Sequence, residues 1–459
     1  MANWTINLDN LASGGYAPHY WYDTYPSYGN KNMAGAMQNM YMLDPNFIMP
    51  GLAKSVITGT VTQTMKGISD VVISSLKSYG FGGTTLYEIQ AGSVTAKRVI
   101  ASAAGYDVAL YDGELKYVYD TSTGGDIGTF NLNATYDDDW WTAVAGGADL
   151  TKGKIHQLLV GGTTGLMTIL NGSVVASWDG TTAVDEAFDT QDTDIELVSQ
   201  VYTQGRFYFA GNKPNIAGRN EGSIFIWNGN ADSWQSRITV NGSIGAMYIK
   251  DGVIFIVYTK GVSIGTGKCT LGYIDGLKIT DVANYWGTLP AFYQITELRD
   301  FIIWTGGTTL WAWGAGDVGE ETRLFQFATV NAGGLATPFG IALTAASDKL
   351  EQLTGTTTTA SWKSLMFDIT SDTPVAKSRI DKIKVNFEKL TTGQGVTVTL
   401  TDNKGTSLYT GTISHTGDGA VTKKIFYPHV DAENFRVELD WSSGGGVKIK
   451  SIKTYGHTV

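Results

Sequence analysis

The sequence predicts an all-β protein built mainly from a β-propeller of about seven blades, with an extended N-terminal arm and a C-terminal antiparallel β-sandwich. Three observations predict it: a glycine-threonine phrase recurs along the middle of the chain, Asn-Gly and Asp-Gly pairs separate apolar runs, and the last hundred residues alternate between apolar and polar. Composition agrees, because 57 Gly, 23 Tyr and 13 Trp with only 17% charged residues favour strands and turns.

The recurring phrase sets the length of the repeat. It reads Gly-Gly-Thr-Thr at 82–85, 161–164 and 306–309, each time between two apolar runs. Apolar runs precede this phrase and its less exact copies. Four of these runs end at Val160, Ala210, Tyr258 and Trp304, which are 50, 48 and 46 residues apart. This period is typical of propeller blades. Blades are predicted to begin near residues 76, 106, 155, 200, 245, 292 and 335, and the two ends of the ring are expected to close one blade between them.

Hairpin turns fill the same region. Asn-Gly and Asp-Gly pairs tolerate the positive φ angles that two-residue hairpins require. Seven such pairs indicate a meander of short antiparallel strands: Asp112-Gly113, Asn171-Gly172, Asp179-Gly180, Asn228-Gly229, Asn241-Gly242, Asp251-Gly252 and Asp275-Gly276.

Residues 1–50 differ in kind, since they are rich in Tyr, Asn, Met and Pro and keep no strand period for long. Within Asn30–Leu43, the side chains of Met33, Met37 and Met40 fall at helical spacing. Such an adaptable apolar stripe suits contact with another subunit. Two alternatives stay open: the arm packs on its own propeller, or it reaches a neighbouring copy in a homo-oligomer.

Residues 361–459 alternate strictly, which predicts a small antiparallel sandwich after a linker at Thr354–Ala360, with the propeller spanning 51–360. Charged residues such as Lys382 and Glu438 occupy the outer face. The predicted core face comprises Ile383, Val385, Phe387, Val396, Val398, Leu400, Phe435, Val437, Leu439, Trp441, Val447 and Ile449.

Charge and hydropathy limit the partners. The net charge is −10: residues 361–459 carry 13 basic and 10 acidic residues, and residues 1–360 carry the other 20 basic and 33 acidic. An acidic body argues against sequence-specific nucleic-acid binding. No apolar run reaches the length of a membrane span and the N-terminus has no signal-peptide pattern, so we expect synthesis in the cytoplasm without membrane insertion.

A search for catalytic chemistry returns mainly negatives. The single cysteine, Cys269, has no partner, and no two of the five histidines have zinc-ligand spacing. The chain has no G-x-S-x-G elbow. Gly265–Cys269 departs from the phosphate-loop pattern at two positions, which favours a β-turn. We therefore expect a non-enzymatic protein without a cofactor, calcium excepted.

One acidic segment next to tryptophans is a candidate glycan site. Asp137, Asp139, Trp140 and Trp141 lie within the run Tyr136–Trp141, and carboxylates beside aromatic faces suit hydroxyl-rich ligands. The alternative, which the sequence favours, is a solvated loop between blades whose tryptophans pack inward.

A second acidic cluster is a candidate calcium site. It comprises Asp189, Asp192, Asp194 and Glu196, the last three of which would project to one face of an extended stretch. Calcium prefers several oxygen ligands. The alternative is a solvated acidic loop.

The order of parts and the segment Asn39–Leu52, with its Asp44-Pro45 and Pro50-Gly51 pairs, resemble the tail nozzle (tail tubular B-type) and related propeller-bearing tail-tip proteins of bacteriophages. The resemblance implies a non-enzymatic structural component of the virion tail, made in the host cytoplasm and assembled as a homo-oligomer with other tail proteins. Two alternatives stay open: a propeller that binds a host surface receptor or glycan through Trp140 and Trp141, and a polysaccharide-degrading enzyme that uses Asp137–Asp139.

Overall fold

The computed structural model describes residues 3–9, 11, 22–23, 34–44, 46–69, 77–101, 103–133, 135–162, 165–214, 220–230, 234–260, 267–315, 322–331, 333–354, 359–368, 378–441 and 446–459. The chain divides into two compact units. The arm-and-sandwich unit comprises Met1–Lys54, Thr309–Thr329 and Leu353–Val459, and the ring unit comprises Ser55–Thr308 and Val330–Gln352. Among the described residues, no helix is both long and apolar enough to span a membrane.

The N-terminal arm is built from short strands. They are β1 (Asn3–Leu8), β2 (Tyr22–Asp23), β3 (Ala34–Gln38), β4 (Met40–Tyr41) and β5 (Met49–Pro50). The helical spacing noted within Asn30–Leu43 therefore does not correspond to a helix in the described residues 34–43, which form β3 and β4. A bulge near the start of β3 and the left-handed backbone of Asn39 (φ 52°) interrupt the strand alternation, so Met37 and Met40 are both buried although they are three residues apart.

Seven four-stranded antiparallel sheets follow, as the recurring phrase predicts. The strands of the first four are β7 (Met65–Ile68), β8 (Lys77–Gly82), β9 (Thr85–Gln90) and β10 (Ser93–Val99); β11 (Ala104–Tyr111), β12 (Glu114–Asp120), β13 (Gly125–Phe130) and β14 (Tyr136–Asp137); β15 (Leu158–Gly161), β16 (Leu166–Asn171), β17 (Val174–Trp178) and β18 (Ala183–Asp189); and β19 (Glu196–Thr203), β20 (Arg206–Pro214), β21 (Asn220–Trp227) and β22 (Ser236–Val240).

The last three sheets complete the set. Their strands are β23 (Ile244–Lys250), β24 (Val253–Thr259), β25 (Gly267–Asp275) and β26 (Lys278–Gly287); β27 (Ile295–Leu298), β28 (Phe301–Gly306), β29 (Thr309–Gly314) and β30 (Arg323–Thr329); and β31 (Leu335–Ala336), β32 (Leu343–Ala345), β33 (Leu350–Leu353) and β6 (Lys54–Val56). A π-helix spans Trp140–Val144 and a 3-10 helix spans Phe292–Gln294.

The first strand of each sheet lies against the first strand of the next. The contacts run β7, β11, β15, β19, β23, β27, β31 and return to β7, so the strands form a closed ring. The order of the seventh sheet is β31-β32-β33-β6, which combines strands from both ends of the ring. The fold is thus a seven-bladed propeller.

Hairpin turns form where the sequence places glycine. Asp112 (φ 48°) and Gly113 (φ 77°) join β11 to β12, while Gly83 and Gly307, in two copies of the recurring phrase, have φ angles of 56° and 74°. Glycine adopts such angles without steric cost, and aspartate tolerates them. The sheets between these turns bury apolar clusters, one of which joins β20 and β21 to β23 and β24.

The C-terminal strands form a sandwich within the arm-and-sandwich unit. They are β34 (Ser361–Ser364), β35 (Met366–Asp368), β36 (Ser378–Phe387), β37 (Gly395–Thr401), β38 (Ser407–Ser414), β39 (Lys423–Phe426), β40 (Val430–Ala432), β41 (Asn434–Asp440) and β42 (Ile449–Thr458), with a short α-helix at His415–Asp418. Every residue of the predicted core face is buried. Of the predicted linker, residues 355–358 lie outside the described residues.

The arm supplies strands to the sandwich of its own chain. In one sheet β1 pairs antiparallel with β42, and in the other β3 pairs with β34 and β2 runs parallel to β35. An isolated bridge between Ile48 and Ile449 adds two backbone hydrogen bonds of 3.0 and 2.9 Å. In this structure the arm therefore docks in cis.

The segment Asn39–Leu52 closes on itself as a small hairpin beside β30. β4 pairs with β5, and the buried Arg323 donates from Nε to the carbonyl oxygen of Met42 (2.8 Å). Gly51 leaves no room for a side chain, because an added Cβ would lie 2.4 Å from the carbonyl oxygen of Phe327. The glycine of the Pro-Gly pair is thus required by close backbone packing.

We predict that Gly51→Ala lowers the free energy of unfolding by about 2–3 kcal/mol, because the backbone around the new Cβ has to shift. Urea denaturation followed by tryptophan fluorescence measures the change. Gly395→Ala is the matched control, since its Cβ would meet only the Ile413 carbonyl oxygen at 3.4 Å, and we expect it to stay within about 0.5 kcal/mol of the native chain. Equal stability of the two variants would contradict this account of the hairpin.

Candidate functional site

The acidic segment beside the tryptophans serves to fasten two sheets. Asp138 forms an ion pair with Arg98 of β10, and the Tyr117 hydroxyl donates to its Oδ1 at 2.7 Å. Hydrogen bonding to Asp138 raises the pKa of the Arg98 guanidinium. Asp137 is half-buried and Asp139 exposed at the adjoining turn. The structure thus uses the middle carboxylate of the run, Asp138, as a structural tie.

The two tryptophans of this segment belong to the core. Trp140 is 8% exposed and Trp141 is 0% exposed. The Lys116 ammonium lies 3.8 Å above the Trp140 ring, the edge of which meets Trp178, and Trp141 donates from Nε1 to the Ala148 carbonyl oxygen at 2.9 Å. The two indoles thus pack inward, as the alternative that the sequence favours predicts, and neither offers an open face to a sugar ring.

The second acidic cluster does not form one face of a strand. β18 ends at Asp189 and β19 begins at Glu196, and between them the chain turns through Gln191 (φ 62°). Asp192 and Asp194 lie 2.6 and 3.5 Å from the Lys213 ammonium. This contact lowers the pKa of Asp192.

The local turn therefore corrects the extended arrangement on which the calcium hypothesis rested. Lys213 provides the positive charge that the hypothesis assigned to a cation. Within the described part of the chain, no group of three or more His, Cys, Asp or Glu side chains is placed to hold a metal ion.

The methionine stripe of the arm lies inside its own unit. Met37 and Met40 are buried by the chain itself, and Met33 lies outside the described residues. Contact between subunits through these residues stays a prediction.

A further candidate site is a cavity on the axis of the ring unit, which we call the axial cavity. Its volume is about 320 Å³, and each of the seven first strands contributes at least one lining residue. Most of the lining residues are aromatic or apolar by type, but the surface exposed in the cavity is more polar than apolar, with polar side chains from β11, from β19 and from Gln157 just before β15. The lining includes Asp107, Gln157, Gln200, Tyr202, Tyr248 and Tyr293.

Asp107 is the acidic residue of this cavity. Its Oδ1 accepts the N–H of Val108 and its Oδ2 accepts the N–H of Leu158 on the neighbouring sheet, both at 2.9 Å. Gly67 of β7 packs on it so closely that an added Cβ would lie 2.6 Å from Oδ1. Burial raises the pKa of Asp107 to about 7. The two backbone N–H donors lower this pKa, but they offset only part of the increase.

Side chains from successive sheets form similar links, and we call them the inter-sheet acceptors. Gln157 accepts the N–H of Gln200 (2.7 Å) and Ser199 accepts the N–H of Met247 (3.0 Å). The same role falls to Asn212, which accepts the N–H of Ile244 at 2.7 Å. The full set is Asp107, Gln157, Ser199 and Asn212.

Sequence reasoning did not single out the residues of the axial cavity. The only available signal at Asp107 is an acid within the apolar and aromatic run Tyr106–Tyr111. Gln157 and Gln200 carry no local motif. The ring closure brings them together from sheets that are far apart in the sequence.

Comparison with known proteins gives fold-level similarity alone. No family model matches the chain, and no curated protein matches it. Similar solved structures include YCF48 from Cyanidioschyzon merolae (10% identity, 66% of this chain and 99% of that chain, TM-score 0.43) and Drosophila Semaphorin 1a extracellular domains 1–2 (7%, 66% and 88%, 0.44). A third is the extracellular domain of a putative hybrid two-component system, BT3049 from B. thetaiotaomicron. It has 11% sequence identity and a TM-score of 0.46, and the match covers 86% of this chain and 57% of that chain. At these TM-scores, the similarities support no conclusion about function.

We predict that Asp107→Asn changes the pH dependence of stability. The native carboxyl stays protonated to about pH 7 in the folded state but ionises near pH 4 when unfolded, so native stability falls as the pH rises between these values. The variant lacks this penalty. Its stability relative to the native chain should improve by about 4 kcal/mol between pH 4 and pH 8, since each of the roughly three pKa units contributes about 1.4 kcal/mol.

Urea denaturation at a series of pH values checks the prediction as a difference between the two proteins. Asp112→Asn, in the exposed turn after the same strand, is the matched control and should give a constant difference. A pH-independent difference for Asp107→Asn would contradict the buried position of its carboxyl.

Proposed function

We propose that the chain is a non-enzymatic structural component of a bacteriophage tail, of the nozzle or tail-tip type, that assembles into a homo-oligomer. The observation that carries the proposal concerns the segment Asn39–Leu52, whose sequence resembles such proteins. In this structure the segment packs against the sandwich and β30 through the Ile48 bridge, the Arg323 hydrogen bond and the close approach at Gly51. The likeness thus falls on a part of the chain with a structural task.

The use of the acidic and amide groups supports a scaffold. Asp138 is tied to Arg98, Asp192 to Lys213, and the inter-sheet acceptors to backbone N–H groups of the next sheet. These side chains hold sheets together. General acid–base catalysis instead needs groups free to reach a substrate.

The closed architecture also suits a particle that is assembled once and must persist. The ring leaves only short sheet edges, and β1 and β42 pair the two ends of the chain in the arm-and-sandwich unit. An acidic chain with a net charge of −10 would let DNA pass without adhering.

The proposal predicts a defined oligomer. β26 forms the outer edge of its sheet and carries Trp286, which is 57% exposed, and an exposed aromatic residue on a sheet edge is typical of a contact surface. We expect the native protein to elute as one oligomer at micromolar concentration, and Trp286→Ser to lower its mass. Light scattering coupled to size exclusion measures both.

Tyr427→Ser is the matched control, because Tyr427 is 60% exposed on the sandwich, and we expect it to keep the native mass. A native protein that stays monomeric across the concentration range contradicts the proposed assembly.

Association with the tail is tested on particles. Quantitative mass spectrometry of purified virions of the phage that encodes the chain should find several copies per particle, enriched in tail fractions. Abundance in infected cells together with absence from purified particles would contradict the proposal.

A further inference from the structure

The axial cavity joins aromatic side chains to the Asp107 carboxylate, which accepts two backbone N–H groups and also lines the cavity. We propose that it binds a small organic ammonium ion, held by the Asp107 carboxylate and by the faces of the surrounding tyrosines. This binding goes beyond the structural role and does not depend on it.

The carboxylate of Asp107 has unused capacity. Each oxygen accepts one backbone N–H, from Val108 and Leu158, and a carboxylate oxygen can accept more than one donor. Among the described residues, no lysine, arginine or histidine forms an ion pair with it. A half-buried carboxylate without a counter-ion loses part of its hydration, and a bound cation would offset that cost.

Lys66, the cationic residue of the adjoining strand β7, does not point toward Asp107. Lys66 stands next to Gly67, which packs on Asp107, but strand alternation sends its side chain to the other face. There its ammonium lies 4.5 Å from the centre of the Tyr106 ring and interacts with Asp120. The positive charge for Asp107 would thus come from a ligand.

The two amide side chains of the cavity are already engaged. Gln157 and Gln200 exchange hydrogen bonds, with Gln157 Oε1 accepting the Gln200 N–H at 2.7 Å and Gln200 Nε2 donating to the Gln157 carbonyl oxygen at 2.6 Å. The Gln200 Oε1 accepts the Thr168 hydroxyl at 2.8 Å. The chemistry that the cavity offers to a ligand is therefore that of a carboxylate.

The rest of the lining favours a cation with an apolar body. Tyr202, Tyr248, Phe292 and Tyr293 surround the space, and aromatic faces attract ammonium groups. At about 30 Å³ per water molecule, 320 Å³ corresponds to roughly ten waters. This is room for an alkyl- or arylalkylammonium ion of about ten non-hydrogen atoms.

The test compares two ligands of nearly equal shape by isothermal titration calorimetry at pH 8 and constant ionic strength. We expect the full chain to bind 2-phenylethylammonium at least ten-fold more tightly than 2-phenylethanol, which lacks the charge. Asp107→Asn should weaken ammonium binding at least ten-fold, while Asp112→Asn, with the same change in an exposed turn, should leave it unchanged.

Tyr293→Leu provides a second variant that keeps the apolar volume and the Asp107 carboxylate, so the test stands even if Asp107→Asn does not fold. We expect it to weaken ammonium binding several-fold through loss of an aromatic face. The proposal would be overturned if amine and alcohol bound equally, or if the native chain did not bind the amine at 10 mM. It would also be overturned if folded Asp107→Asn or Tyr293→Leu kept the native affinity.

Discussion

The ring depends on a hydrogen-bonding constraint at its axis. Its first strands belong to seven different sheets, so buried N–H groups where sheets meet need partners from the neighbouring sheet. A buried N–H left without one costs about 1–3 kcal/mol. The inter-sheet acceptors satisfy this requirement for Leu158, Gln200, Met247 and Ile244. The carboxylate of the axial cavity and its raised pKa follow from the same constraint, because the acceptor between β11 and β15 is an aspartate.

Most of the fold was predictable because its signals are local. Glycine at a hairpin and strict alternation in a half-buried strand each act within a few residues, and both gave the right elements. The first blade was predicted to begin near residue 76, yet β7 begins at Met65. Its sequence, with Lys66 and Gly67 between apolar residues, has no apolar run, because Gly67 is needed to pack on Asp107. The arm was misread at Met37 and Met40 because pairing with β34 outweighs local spacing.

The candidate site was less predictable, for a physical reason. Sequence reasoning finds residues that cluster along the chain. The cluster at Asp137–Trp141 proved to be an ion-pair contact between two sheets, and the cluster at Asp189–Glu196 proved to be a turn whose charge Lys213 neutralises. The axial cavity draws its lining from seven strands, and each strand offers only one to three residues to it. Such a site exists only after ring closure. No spacing rule applied to neighbouring residues detects it.

The pairing of early with late strands sets the order of events during synthesis. β6 stays unpaired until β33 emerges from the ribosome, and β1 stays unpaired until β42 does. The ring unit therefore closes only after residue 353 has been made, and the arm-and-sandwich unit only after residue 458. Contacts so distant in sequence form slowly, and until they form the growing polypeptide exposes unpaired strand edges. Because such edges aggregate, we expect its yield in cells to depend on chaperones that protect them until they pair.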